Sequence, residues 1–151
     1  VGFTKIKGIS WALSNAICKN LNLDKNRKIG SLTDIEVKKI SEFMKNPKLR
    51  LDHNISKSMW FALKGKKAGR KWETLVGYTL QDLFQHLEKQ FDDKIFWQNY
   101  GSYWHIDHIV PKSWFPYQTA EEQAFRNCWA LANLQPLEAK ENMSKGNRKL
   151  S

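Results

Sequence analysis

The stretch Trp104-His105-Ile106-Asp107-His108-Ile109-Val110-Pro111, taken with NLQPL at 133–137 and AKENMSKGNRKL at 139–150, decides the fold. From Tyr103 the first segment alternates as a half-buried strand does, and Pro111 ends it. The segment at 133–137 reads as a second short strand. The last reads as a helix that frays or ends at Gly146. The C-terminal third is therefore expected to run strand, loop, strand, helix.

Upstream the periodicity is helical. In TLQDLFQHLEKQF, residues 79–91, Thr79 is an N-cap, and Leu80, Leu83, Phe84, Leu87 and Phe91 form one apolar stripe. A short helix is expected over Ile55–Leu63. The segment KGKKAGRK, residues 64–71, holds Lys64, Lys66, Lys67, Arg70 and Lys71 with two glycines. It is either a solvated loop or a flexible phosphate-contacting loop; Trp72 beside it favours the second. Nearer the N-terminus, SWALSNAICKNLN at 10–22 reads as a helix with Leu13, Ala16, Ile17 and Leu21 on one face. Thr33-Asp34-Ile35-Glu36 is a capping box opening a helix that presents Val37, Ile40 and Met44. Asn46-Pro47 should end that helix, because proline cannot continue the hydrogen-bond ladder. The fold class is thus α+β: a small helical unit over 1–48, then a second unit over 49–151.

The net charge is +10 over 151 residues, which favours polyanionic partners, chiefly nucleic acid or an anionic membrane. Residues 1–48 carry +6, residues 49–103 carry +3 and residues 104–151 only +1, so phosphate-gripping capacity lies upstream of the Asp-His segment. No apolar run approaches the roughly 18 residues that span a bilayer, so no membrane partner is expected. Cys18 and Cys128 form no C-x-x-C pair, so no structural zinc is expected. Free thiols suit an intracellular protein. The first residue is Val rather than Met, so the native N-terminus is expected to lie further upstream.

Phosphodiester hydrolysis needs a base for water, a cation to offset charge on the phosphate and leaving oxygen, and a frame that holds both. Histidine is the usual base, since its unperturbed pKa of about 6.5 is close to neutrality. A hard cation such as magnesium prefers carboxylate and amide oxygens. Asp107-His108 offers both chemistries. On a strand the two side chains alternate in direction. They cooperate only if metal and imidazole approach from different sides or if the strand ends and turns there, and Pro111 is consistent with such a turn. Taken alone, an Asp-His pair is an ordinary structural pair more often than a site.

WHIDHIVPKSWF followed by FRNCWALANLQPLEAKENMSKGNR resembles the HNH endonucleases, in particular the subgroup of phage, bacterial and large-virus genomes. The resemblance continues upstream through NISKSMWFALKGKKAGRKWETLVGYTLQDLFQHLEKQF and covers about residues 49–148. It implies a ββα-metal fold, a hairpin crossed by a helix around one divalent cation, Mg2+ or Mn2+. By position, His108 matches the general base and Asp107 the first metal ligand. Asn133 matches the central asparagine that holds the imidazole, and Asn142 matches the last motif position, a metal ligand, giving an H-N-N variant. Lys145 and Arg148 on the same helix read as phosphate contacts or as a solvated helix face. His105 takes a supporting role. The aromatic residues around the motif, Trp97, Tyr100, Tyr103, Trp104, Trp114 and Phe115, read mainly as core.

Residues 1–48 resemble the N-terminal helical part of small-subunit ribosomal protein thirteen, especially organellar versions. The likeness rests on T-x-I-x-G-I, A-I-C-K-x-L and K-I-G-x-L-T-x-x-E-V. Where that family has a Gly-Ile-Gly hairpin close to nucleic-acid backbone, this chain has Gly8-Ile9-Ser10. The resemblance implies a basic module for DNA or ribosomal RNA, and extends the expected location to a mitochondrion or other organelle. Together these readings give a metal-dependent DNA endonuclease of homing or phage type, nicking through one centre to leave 5′-phosphate and 3′-hydroxyl ends. The alternative is a non-catalytic RNA-binding component of an organellar small ribosomal subunit carrying an HNH-derived insertion.

Overall fold

The structure, a computed structural model, describes Cys18, Asn22, Leu23 and residues 31–150, the side chains of residues 43 and 44 excepted. The Gly8-Ile9-Ser10 turn and most of the helix expected over 10–22 lie outside the described residues. Of that helix Cys18 is described; it is helical and buried, and its carbonyl accepts from Leu23 N–H at 2.8 Å.

The chain divides into two units, Val1–His53 and Asn54–Ser151. In the first, α1 runs over Asp34–Lys45. Its capping box forms as expected: Glu36 Oε2 accepts from Thr33 N–H at 2.8 Å and Thr33 Oγ1 accepts from Glu36 N–H at 3.3 Å. The apolar face is narrower than its pattern suggests. Ile40 is buried, whereas Val37 is 51% exposed, and the side chain of Met44 lies outside the described residues. Asn46-Pro47 does end α1, and it also starts the next helix. Asn46 Oδ1 accepts from Lys48 N–H at 3.0 Å, and Pro47 takes the first helical position, where its missing N–H costs nothing. Helix α2, Pro47–Ala62, is therefore far longer than the expected Ile55–Leu63, and the division between units falls inside it.

In the second unit, Ile55, Met59 and Leu63 at successive turns are buried. The basic loop 64–71 comes next, winding through positive φ at Lys64, Gly65, Ala68 and Gly69. Helix α3, Trp72–Val76, has no counterpart in the sequence reading; it ends on Gly77 at φ 79°, the left-handed cap that glycine allows. Helix α4, Leu80–Glu88, starts on a full capping box between Thr79 and Asp82, with Leu83 and Leu87 buried. It ends short of the expected residue 91.

A two-stranded antiparallel sheet pairs β1, Trp104–His108, with β2, Leu134–Glu138. The register sets Asp107 opposite Gln135 and His108 opposite Leu134. Helix α5, Gln123–Cys128, lies in the connection, and α6, Ala139–Lys145, follows β2 directly and packs on both strands. α6 stops at Gly146, as expected, and Asn133 sits in a 3-10 turn just ahead of β2. The mixed helix and strand content agrees with the α+β class. Phe84 stacks on Trp97 at 3.9 Å between ring centroids, Trp97 lies 5.4 Å from Trp104, and Tyr100 lies 4.8 Å from Trp104. Trp97, Tyr100 and Trp104 are buried, so these aromatics are core, as their sequence context suggests; Trp114 is 57% exposed. Trp72, which on the sequence alone favours a phosphate-contacting loop, is buried against Tyr78.

Candidate active site

β1 ends at His108, and the two residues after it are locked in place. Ile109 N–H donates to the Asn133 carbonyl at 2.9 Å. Val110 N–H donates to Asn133 Oδ1 at 2.8 Å. Asn133 Nδ2 donates to the carbonyls of Val110, at 3.2 Å, and Cys128, at 2.9 Å. The Asn133 amide therefore grips the backbone two residues beyond His108, not the imidazole. A short amide binds the nearest buried peptide groups, so any hold on the imidazole, the role implied by the resemblance, runs through this backbone segment.

Because the strand stops there, Asp107 and His108 both line one cleft of about 420 Å³. Lys57 from α2, Lys112, Trp129 and Asn142 from α6 also line it. His108 is buried, its ring edge-on to Trp129 at 4.7 Å between centroids, and its Nε2 has no hydrogen-bond partner among the described residues. Burial, then the nearby Lys112 and Lys145 ammoniums, push its pKa down to about 3. The imidazole is neutral over the physiological range, so one of its ring nitrogens is able to accept a proton.

Asp107 is 7% exposed and fully engaged. Lys145 Nζ donates to Asp107 Oδ1 at 2.8 Å and Oδ2 at 2.7 Å, and also to the His108 carbonyl. Gln135 Nε2 donates to Asp107 Oδ2 at 2.9 Å from the facing strand. Lys145, in sequence a phosphate contact or a solvated face, is 2% exposed. The last turn of α6 lies over β1, so the lysine that faces inward meets the buried carboxylate. Arg148 is exposed, its guanidinium folded back on the carbonyls of Ser144 and Lys145. His105 lines the cleft, exposed, with Nε2 3.2 Å from the Gly101 carbonyl oxygen.

The basic loop is not uniformly available. Lys67 Nζ donates to Ser56 Oγ at 2.6 Å, and Arg70 pairs with Glu121 at 2.5 Å. Lys64, Lys66 and Lys71 are exposed. Sequence reasoning misses Lys57, Lys112 and Trp129 as cleft residues. Lys112 follows Pro111 directly and lies within reach of the motif; nothing local links Lys57, on a helix fifty residues upstream, to His108.

A hard cation would find two oxygen donors here, the Asp107 carboxylate and the Asn142 amide, which line the same cleft. It would have to displace the Lys145 ammonium from the carboxylate. Among the described residues no group of three or more His, Cys, Asp or Glu is gathered for a metal. A bound ion would rest on Asp107, Asn142, water and substrate oxygens, the loose coordination that magnesium accepts.

Known proteins share parts of this chain. Residues 55–151 match the family described as GmrSD restriction endonucleases, C-terminal domain. An uncharacterized protein of Acanthamoeba polyphaga mimivirus is 37% identical over 79 residues, covering 52% of this chain and 34% of the relative. A second mimivirus protein is 26% identical over 100 residues, covering 66% of this chain and 43% of the relative. The small ribosomal subunit protein uS13 of Nanoarchaeum equitans is 43% identical over 47 residues, covering 31% of each. The chain thus spans less than half the length of each of these relatives. No solved structure matches significantly.

Proposed function

Because the chain belongs to the family of GmrSD restriction endonuclease C-terminal domains, we propose that its second unit hydrolyses phosphodiester bonds in DNA at the Asp107–His108 cleft, as an HNH-type centre. The observation that carries this reading is His108: a buried, neutral imidazole with an unpartnered Nε2, in the same cleft as a buried carboxylate and the cations of Lys57 and Lys112.

In this reading His108 Nε2 takes a proton from water as that water attacks phosphorus. An imidazole with so low a pKa is a weak base in the free cleft. An entering phosphate brings negative charge beside it, which favours the imidazolium and raises its basicity as substrate binds. Trp129 fixes the ring, and Asn133 fixes the peptide segment beyond it. Lys57 and Lys112 orient the phosphate. Asp107 and Asn142 would hold one divalent ion, magnesium or manganese, which when bound supplies charge stabilisation for the phosphate and the departing 3′ oxygen. One such centre cuts one strand per event, so nicking with 5′-phosphate and 3′-hydroxyl ends is the expected outcome.

A second reading is favoured by the likeness to uS13, a small ribosomal subunit protein: a non-catalytic RNA-binding component. Incubating supercoiled plasmid with the full chain, with and without magnesium, alongside binding to ribosomal RNA, separates the two. Magnesium-dependent nicking supports the nuclease. An intact plasmid with tight RNA binding supports the ribosomal reading.

A further inference from the structure

Trp60 and Phe61 at the end of α2 stand 50% and 62% exposed, ring edge to ring face with centroids 5.1 Å apart. Two adjacent large aromatics left in water are not explained by the core, which on this helix is built from Ile55, Met59 and Leu63. Their surroundings are ordered. Gly65 N–H donates to the Trp60 carbonyl and Lys64 N–H to the Phe61 carbonyl, each at 3.0 Å. Gly65, at φ +80°, lies so close that a Cβ there would stand 3.6 Å from the Trp60 ring. The start of the basic loop thus rests against the indole, while half of the side chain stays open.

The sequence segment that carries this pair is basic. Residues 54–72 contain Lys57, Lys64, Lys66, Lys67, Arg70 and Lys71 and no acidic residue. Lys57 lies three and four positions before Trp60 and Phe61, hence on the same face of the helix, and it lines the cleft that holds His108. The aromatics therefore stand about one helical turn from a lysine of the cleft edge. Aromatic faces bordered by lysines suit a nucleic-acid strand whose bases are free to stack.

We propose that Trp60 and Phe61 form a stacking platform for an unpaired base of the substrate strand, so that the protein engages single-stranded or locally opened DNA in preference to continuous duplex. The proposal rests on the DNA reading above and deepens it. A duplex keeps its bases stacked on each other and offers the platform only backbone, whereas an opened strand offers both a base for the rings and phosphates for Lys57, Lys64 and Lys66.

The test is binding by the full chain in chelator, where cleavage does not intervene. Fluorescence anisotropy compares a single-stranded oligonucleotide carrying 2-aminopurine with the same sequence as duplex, for the wild type, Trp60→Ala, Phe61→Ala, the double variant and Trp60→Phe. The expected result is tighter single-strand binding by the wild type, with 2-aminopurine quenched on binding. Each alanine should weaken single-strand binding by about tenfold, reduce the quench, and change duplex binding less than twofold. Trp60→Phe should retain most of both signals, and near-identical melting of all variants is expected because both rings are exposed. If the double variant binds and quenches as the wild type does, or if it loses single-strand and duplex binding equally, the platform is overturned while the DNA reading stands. If the wild type binds neither form of DNA, the DNA reading itself fails. Capture of a protein through an intact Trp60–Phe61 pair, with no quench on DNA, would also overturn the platform.

Discussion

The Lys145 ammonium and the Asp107 carboxylate form a buried ion pair, 2.7 Å apart, with side chains 1% and 8% exposed. Gln135 and the His108 carbonyl complete it, so both partners are satisfied inside the protein. Removing one partner of such a pair leaves an uncompensated charge, at a cost of about 3–5 kcal/mol. Lys145→Met should destabilise the metal-free protein by that order in urea unfolding, and adding Asp107→Asn should restore a large part. In the single variant Lys145→Met, which keeps Asp107, magnesium meets a carboxylate with no resident ammonium to displace. Titration calorimetry should then show tighter magnesium binding than in the wild type; weaker binding would mean that Lys145 helps to hold the ion rather than competing with it.

His108 makes stability depend on pH. Its folded pKa, about 3, lies below the ordinary value of 6.5. Between those values the unfolded chain binds the extra proton, so stability is complete above about pH 6.5 and falls as pH drops. The loss should approach about 1.4 kcal/mol per pH unit between pH 6 and 4. Urea unfolding in chelator should show this slope for the wild type and a slope smaller by about that amount for His108→Phe. Equal slopes would mean that His108 titrates normally.

Asn133 holds the turn beyond His108 through Val110 and Cys128. Asn133→Ala strands an N–H and two carbonyls, and should cost about 3 kcal/mol of stability. It should also slow cleavage with little change in the pH profile, since the imidazole itself keeps its environment. A profile shifted by a unit or more would place Asn133 in contact with the reacting group.

Much of this architecture is legible in the sequence because it is local. The capping box at Thr33, the N-cap at Thr79, the Pro111 stop, the short second strand and the Gly146 stop all follow from spacing and residue type. Asp107, His108 and Asn142 do come together in one cleft. The features that escape depend on tertiary placement. Pro47 reads as a break, although with Asn46 as cap it is also a start, which hides the first turns of α2. Lys145 reads as solvent-facing or phosphate-facing, because only the crossing of α6 over β1 reveals the carboxylate beneath it. Trp72 reads with the loop before it, whereas it packs against Tyr78. Lys57 reaches the cleft by a contact that no sequence period encodes.

If His108 is the base of a nuclease centre, its removal must show in the nicking of negatively supercoiled plasmid by the full chain. With magnesium or manganese the wild type should convert supercoiled plasmid to open circles, and chelator should stop it. His108→Ala should retain about 1% of that rate or less, because a positioned base contributes some 10²–10⁴-fold, while binding plasmid as the wild type does. A His108→Ala variant that nicks within tenfold of the wild type would remove His108 from the chemistry, and a wild type that leaves the plasmid intact with either metal would remove the nuclease centre altogether.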